Sequence, residues 1–332
     1  MSKGIEQNML RKRAKKSDDI TDAMYDNVNE EYREFVSEYL DAQNHSPQTK
    51  RQYTSGLKFF GFFLFNSLNN KRMCKLTKRD MLRYMSYLKN KGMSSSGINF
   101  KKACVSSLMN YIENFIADEE KDYKTFRNLT RGLPAIPKNQ VYEKVKITDE
   151  DYNKMMKVLD NDKNYLGMAW LATAMNVGAR RSEIIQFKTS ILENDFPEEA
   201  SFIMTHNVRL KGSGEDGKIS QYMTNHEAYK YMKLWIEERG YESEYVFTTK
   251  YGDKLQMSPS WADYFCKEVL SPILNRRINP HLFKASCVTR LLEQDVALEL
   301  VSKYVAHHEN VATTIAHYDL RDFEEEKNEI FK

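Results

Sequence analysis

Asn279-Pro280-His281-Leu282-Phe283-Lys284-Ala285-Ser286 opens the stretch on which the reading of this chain turns. It runs into Thr289-Arg290-Leu291-Leu292-Glu293, whose apolar residues recur at helical spacing, and continues past His307-His308 to Tyr318-Asp319. Titratable side chains collect here: His281, Lys284, His307, His308, His317 and Tyr318. The four histidines do not follow the spacing of metal ligands, so neither a metal nor a small-molecule cofactor is expected.

Composition sets the frame. The chain has 332 residues, 41% hydrophobic and 29% charged, with only 13 Gly and 7 Pro. That length is enough for two domains with sizeable cores, and the long segments of 3.6-residue periodicity predict a mainly α protein. Cys74, Cys104, Cys266 and Cys287 show no C-x-x-C spacing and read as reduced thiols of a cytoplasmic protein. A polar N-terminus and no long apolar run point away from a signal peptide and from a membrane. Net charge is only +3, yet the segment from Asn44 to Asn110 carries thirteen Lys and Arg against one acid, Asp80. A local excess of that size suits a polyanion such as double-stranded DNA.

Five segments follow. Residues 1–26 read as a basic flexible arm around Arg11-Lys12-Arg13-Ala14-Lys15-Lys16. Residues 27–133 read as a helical domain. Its first helix carries Tyr32, Phe35, Val36, Tyr39 and Leu40 on one face. Ser46-Pro47 starts the second, with Thr49, Lys50 and Arg51 in its opening turns. Thr77-Lys78-Arg79-Asp80 starts a third, and Ser94-Ser95-Ser96 a fourth spanning Ile98 to Ile116, on which Lys101 and Lys102 face away from the apolar stripe. Basic residues at helix N-terminal turns favour phosphate, and Thr49, Lys50, Arg51, Lys78, Arg79, Ser95, Lys101 and Lys102 are the candidate contacts. Residues 134–146 form a proline-bearing linker, and residues 147–320 a second domain opened by the N-cap Thr148. Residues 321–332 make an acidic tail that either docks on a neighbouring protomer or folds back.

Within the second domain, Gly178-Ala179-Arg180-Arg181-Ser182-Glu183 closes an apolar helix. A planar guanidinium such as that of Arg180 grips two phosphate oxygens at once, with Glu183 placed to hold it. Phe202-Ile203-Met204, Val208-Arg209-Leu210-Lys211 and Lys218-Ile219-Ser220-Gln221-Tyr222 flank a glycine-rich turn and predict a β-hairpin. Gly217-Lys218 is followed by Ile219, which rules out a nucleotide-binding P-loop.

These motifs resemble those of the tyrosine recombinases, or phage integrases. That family shows Gly-x-Arg-x-Ser-Glu, a hairpin lysine before a glycine, His-x-x-Arg ahead of Ser-x-x-Thr-x-x-Leu-Leu, a Gly-His turn and a nucleophilic tyrosine. Ser46-Pro47-Gln48-Thr49 through Tyr53, followed by Leu76-Thr77-x-x-Asp80, is similar to the family's core-binding domain. The resemblance implies a SAM-like helical domain and a catalytic-type domain forming a C-shaped clamp on DNA. It implies Arg180, Lys211, His281, Lys284, His307 or His308, and Tyr318 as the family-equivalent catalytic set, with Arg180, Lys211 and Lys284 also touching DNA. Lys211 would protonate the 5′-oxygen leaving group, with Lys218 the competing candidate.

Two departures bear on chemistry. Lys284 stands where the family has its second arginine, which loses the two-pronged grip and a few kcal/mol of transition-state stabilisation. The family tyrosine follows its histidine by nine residues; from His308 that position is His317, one short of Tyr318. One residue turns a helix by roughly 100°, which would point the phenol away unless a bulge or shifted helix start restores it. Both departures fall on catalytic parts while the basic face is intact. The resemblance therefore implies a DNA-binding protein that has lost recombinase activity, similar to the recombinase-like repressors of SPβ-type prophages. The alternative is an active site-specific recombinase working through a 3′-phosphotyrosine.

Overall fold

Ser46, Thr77, Ser94, Thr148 and Asn164 each precede an apolar-periodic run, and each caps a helix through its side-chain oxygen. The computed structural model describes residues 20–134, 136–137, 145–210, 217–249, 256–321, 323 and 327. Among them the chain is mostly helical with four two-residue strands, the mainly α architecture with a small hairpin that the sequence implied. It divides into two units, one built mainly from residues up to Glu143 and the other mainly from Lys144 onward.

In the first unit a single turn, Asp22–Tyr25, precedes α1 (Glu30–Ala42), α2 (Pro47–Leu68), α3 (Lys78–Asn90) and α4 (Ser95–Tyr111). The stripe expected on α1, Tyr32, Phe35, Val36, Tyr39 and Leu40, is buried. It meets Phe60 and Phe63 of α2, which pack edge-on and tilted against Tyr84 of α3 at 4.8 and 5.1 Å between ring centres. The regular helix α4 stops at Tyr111, earlier than the sequence suggested, and Ile112–Ile116 continues as a wider, π-type turn.

In the second unit α5 (Asp149–Asn161) leads to α6 (Tyr165–Val177), which is buried on nearly every face. Trp170 sits at its centre against Trp261, Phe265 and Phe283. A helix apolar all round can only be a core element. Gly178, at φ +69°, ends it in the left-handed conformation, and a short helix α7 (Arg181–Ile184) follows. Strands β1 (Ile203–Met204) and β4 (Met223–Thr224) pair antiparallel, as do β2 (Val208–Arg209) and β3 (Ile219–Ser220). Helices α8 (His226–Glu238) and α9 (Pro259–Tyr264) follow, then α10 (Pro280–Glu293), buried from Leu282 through Thr289, and α11 (Val311–Tyr318). The arm 1–19, most of the linker, Lys211 and most of the tail lie outside the described residues.

Candidate nucleic-acid site

The end of α6 brings Arg180 to the surface. Gly178 lets the chain turn and come close to the next layer, since a Cβ there would meet Val305 Cγ1 at 2.8 Å and Cys287 Sγ at 3.3 Å. Arg180 then precedes α7, and Glu183 one turn on is wholly buried. The Arg180 amide donates to Glu183 Oε2 at 2.6 Å, and its guanidinium Nη1 donates to Oε1 at 2.9 Å. Tyr222 Oη donates to Oε2 at 2.6 Å. Burial alone would raise the Glu183 carboxyl. The Lys284 ammonium, then Arg180 and Tyr222, hold it below the usual carboxylate range instead. Arg180 is thus fixed on one edge while its side chain stays 19% exposed.

Lys284 on α10 is fully buried and donates to the Ala306 carbonyl at 2.9 Å. Burial, with Arg180 nearby, lowers its ammonium to about 7. The Lys-for-Arg exchange therefore costs more than geometry. The structure shows an ammonium that is only about half ionised at neutral pH and has no exposed surface.

His307 takes φ +52°, a left-handed conformation that costs an L-residue about 1 kcal/mol. His307 and His308 are the two candidates for the histidine of the Gly-His turn. The His307 ring packs edge-on against Tyr222 at 4.4 Å, and its Nδ1 lies 3.1 Å from Ser220 Oγ. His308 points the other way, with Nε2 3.4 Å from Arg180 Nη2 and Nδ1 2.9 Å from Thr314 Oγ1. Arginine has only protons to give, so Nε2 accepts and Nδ1 carries the proton toward Thr314, which is 2.9 Å from Ser302 Oγ. Burial, then Lys284, depress both histidines to about 4, so both are neutral.

Tyr318 ends α11, is 5% exposed and turns inward. Its hydroxyl lies 3.4 Å from His281 Nε2, its ring 4.6 Å from that of His308, and the Lys284 ammonium 5.9 Å from its centre. The phenol therefore faces His281 and His308, and the left-handed residue His307 lies ahead of α11. His317 is exposed. Arg180, His281, Lys284, His308 and Tyr318 are thus brought together, with His307 behind them. Arg290 goes elsewhere, donating to Asn176 Oδ1 at 2.8 Å. Lys211 lies outside the described residues, and Lys218 pairs with Glu309 at 3.1 Å.

Residues 146–325 match the model of the phage integrase family. The chain belongs to that family. The SPbeta prophage-derived recombinase-like protein YomM of Bacillus subtilis (strain 168) is 60% identical over 333 residues, spanning 100% of both chains. The TnP I resolvase of Bacillus thuringiensis is 25% identical across 84% of this chain and 92% of its own length. The fold is shared with the Tn1549 transposon integrase in complex with transposon right end DNA (17% identity, 90% of this chain and 98% of that one, TM-score 0.66). It is shared too with a lambda integrase dimer bound to a COC' core site (14% identity, 88% and 78%, TM-score 0.64).

The first unit carries the basic tract from Asn44 to Asn110. Asp80, the one acid of that tract, is buried and takes Lys71 at 2.8 Å and Arg83 at 3.4 Å. Acids from outside the tract neutralise more of it than the sequence count allows: Arg72 lies between Glu31 and Asp122, Lys50 meets Asp41, and Lys58 meets Asp22. Arg51, Lys75, Lys78, Arg79, Lys89, Lys91 and Lys102 have no ion pair among the described residues. Lys101, expected to face away from the apolar stripe of its own helix, lies over the Phe59 ring of α2 at 4.3 Å. Thr49 is tied to its cap, with Oγ1 2.9 Å from Ser46 Oγ, and Ser95 is half-buried in the first turn of α4. Sequence reasoning missed Tyr222, Ser220, Ser302 and Thr314. Ser220 and Tyr222 lie in the hairpin segment the sequence singles out, while nothing local marks Ser302 or Thr314.

Proposed function

We propose that this integrase-family protein is a sequence-specific double-stranded DNA-binding protein that keeps the family's phosphate pocket but has lost its cleavage reaction, and that it works as a prophage-type transcriptional repressor. Lys284 carries this reading. A pentavalent phosphate transition state needs fixed positive charge aimed at its oxygens. Lys284 is wholly buried, spends a donor on Ala306 O, and is only about half ionised at pH 7. Arg180, half-buried with an accessible edge, remains suited to a ground-state phosphate contact. In this reading residues 27–133 are the core-binding domain, gripping backbone through Thr49, Lys50, Arg51, Lys78, Arg79, Ser95, Lys101 and Lys102. Residues 147–320 are the catalytic-type domain, joined by 134–146, and the tail 321–332 serves self-association. The exposed cations of the first unit and the DNA-bound relatives of this fold support DNA as the partner.

A second reading, an active recombinase, is favoured by one observation: the Tyr318 hydroxyl already sits at His281, beside His308. Tyr318 would then attack the phosphate, with Lys211 as acid. Tyr318→Phe separates the two. A repressor keeps its DNA affinity and its effect on transcription within about twofold; a recombinase loses activity while binding is unchanged. A denaturant-resistant protein–DNA adduct formed by the wild type and absent from Tyr318→Phe would establish the recombinase.

A further inference from the structure

The two arms of the phosphate pocket meet on one side chain that the family's motif does not include. Tyr222 lies between β3 and β4, with no exposed surface. Its backbone is pinned to the neighbouring strand segment by two bonds, Thr205 N to Tyr222 O and Tyr222 N to Thr205 Oγ1, both 2.9 Å. Its hydroxyl donates to Glu183 Oε2 at 2.6 Å, beside the Arg180 amide on the same oxygen. That leaves Oε1 to the Arg180 guanidinium. Its ring packs against His307, which has a left-handed backbone conformation and also meets Ser220 of the same hairpin. His308, the next residue, reaches Arg180 Nη2. One phenol therefore borders both the acid that orients Arg180 and the turn that delivers His308.

We infer that Tyr222 is a positioning residue: through Glu183 and through His307 it sets Arg180 and His308 as one unit for a DNA phosphate. This rests on the proposal that the pocket binds phosphate. Without the phenol's proton, Glu183 Oε2 keeps one donor, and the buried carboxylate draws more strongly on Arg180. The guanidinium edge offered to an incoming phosphate then shifts. Because Tyr222 belongs to the hairpin, any contact that moves the hairpin also moves the pocket.

The experiment is a double-mutant cycle with Tyr222→Phe and Arg180→Ala, read by equilibrium binding to a mixed-sequence DNA duplex and by thermal unfolding. Tyr222→Phe keeps the ring against His307 and removes only the hydroxyl. Its expected effect is a loss of affinity of about five- to tenfold, on the scale of one ordinary hydrogen bond. In an Arg180→Ala background the same substitution is expected to change nothing further. A purely structural role would lower the unfolding temperature in both backgrounds and leave the two affinity effects additive, which would overturn the inference. So would an unchanged affinity for Tyr222→Phe alongside a weakened Arg180→Ala. If Arg180→Ala itself binds as tightly as wild type, the phosphate pocket is wrong, and this inference falls with it.

Discussion

A buried lysine has to be explained by what it costs. Lys284 is held near 7, against a usual lysine value of 10.5, by burial and by Arg180. Above that folded value and below the unfolded one, the unfolded chain binds the extra proton, so stability rises with pH by up to about 1.4 kcal/mol per unit. From about pH 9 the buried thiols Cys104, Cys266 and Cys287, pushed above their usual range, begin to oppose it. The clean window is therefore pH 7 to 9. Urea unfolding across it should show a rise in the wild type that Lys284→Met abolishes; parallel curves would sink the assignment of a buried, half-ionised lysine. His307 and His308, lowered from 6.5 to about 4, act in the same direction at lower pH. Unfolded histidines take up protons that the folded ones refuse, so stability should fall as pH drops from about 6.5 to 4. Replacing both with Gln should remove that part of the acid transition.

Elements, more than single residues, decide what could be read in advance. Caps are local chemistry, so Ser46-Pro47, Thr77 with Asp80, and Thr148 with Asp151 announced their helices correctly. The hairpin was legible for the same reason. The wide turn after Tyr111 was not, because tertiary packing and not propensity sets it. The direction of Tyr318 stayed open, because a count of residues assumes regular turns and the left-handed residue His307 interrupts them ahead of α11. Nor could the burial of Lys284 be seen, since Ala306, whose carbonyl accepts its hydrogen bond, is 22 residues away. Gly178 tests the element-level account. Its φ of +69° and the 2.8 Å approach of Val305 leave no room for a methyl group. Gly178→Ala should cost at least about 2 kcal/mol of stability, from strain and overpacking together. A loss below about 0.5 kcal/mol in chemical denaturation would mean that α6 and the His307 turn are not locked there.

Across the whole molecule, charge counted along the sequence overstated the free positive surface. Arg72 is committed to Glu31 and Asp122, 41 and 50 residues away, and no local reading finds such partners. Arg79 and Lys102 have no ion pair among the described residues. Removing a cation that touches phosphate lowers the slope of log affinity against log salt by about 1. Arg79→Ala and Lys102→Ala should each do so, while Arg72→Ala should lower stability and leave the slope alone. Equal slopes for all three would remove the basic face from the account. The central claim is that DNA is bound and not cut. Its most direct measurement is a genome-wide map of the DNA occupied in cells by the wild type and by Tyr318→Phe, with a parallel assay for denaturant-resistant protein–DNA adducts. The account predicts the same short element occupied near promoters by both proteins and no adduct from either. A single locus of paired inverted half-sites, with an adduct that vanishes in Tyr318→Phe, would contradict it.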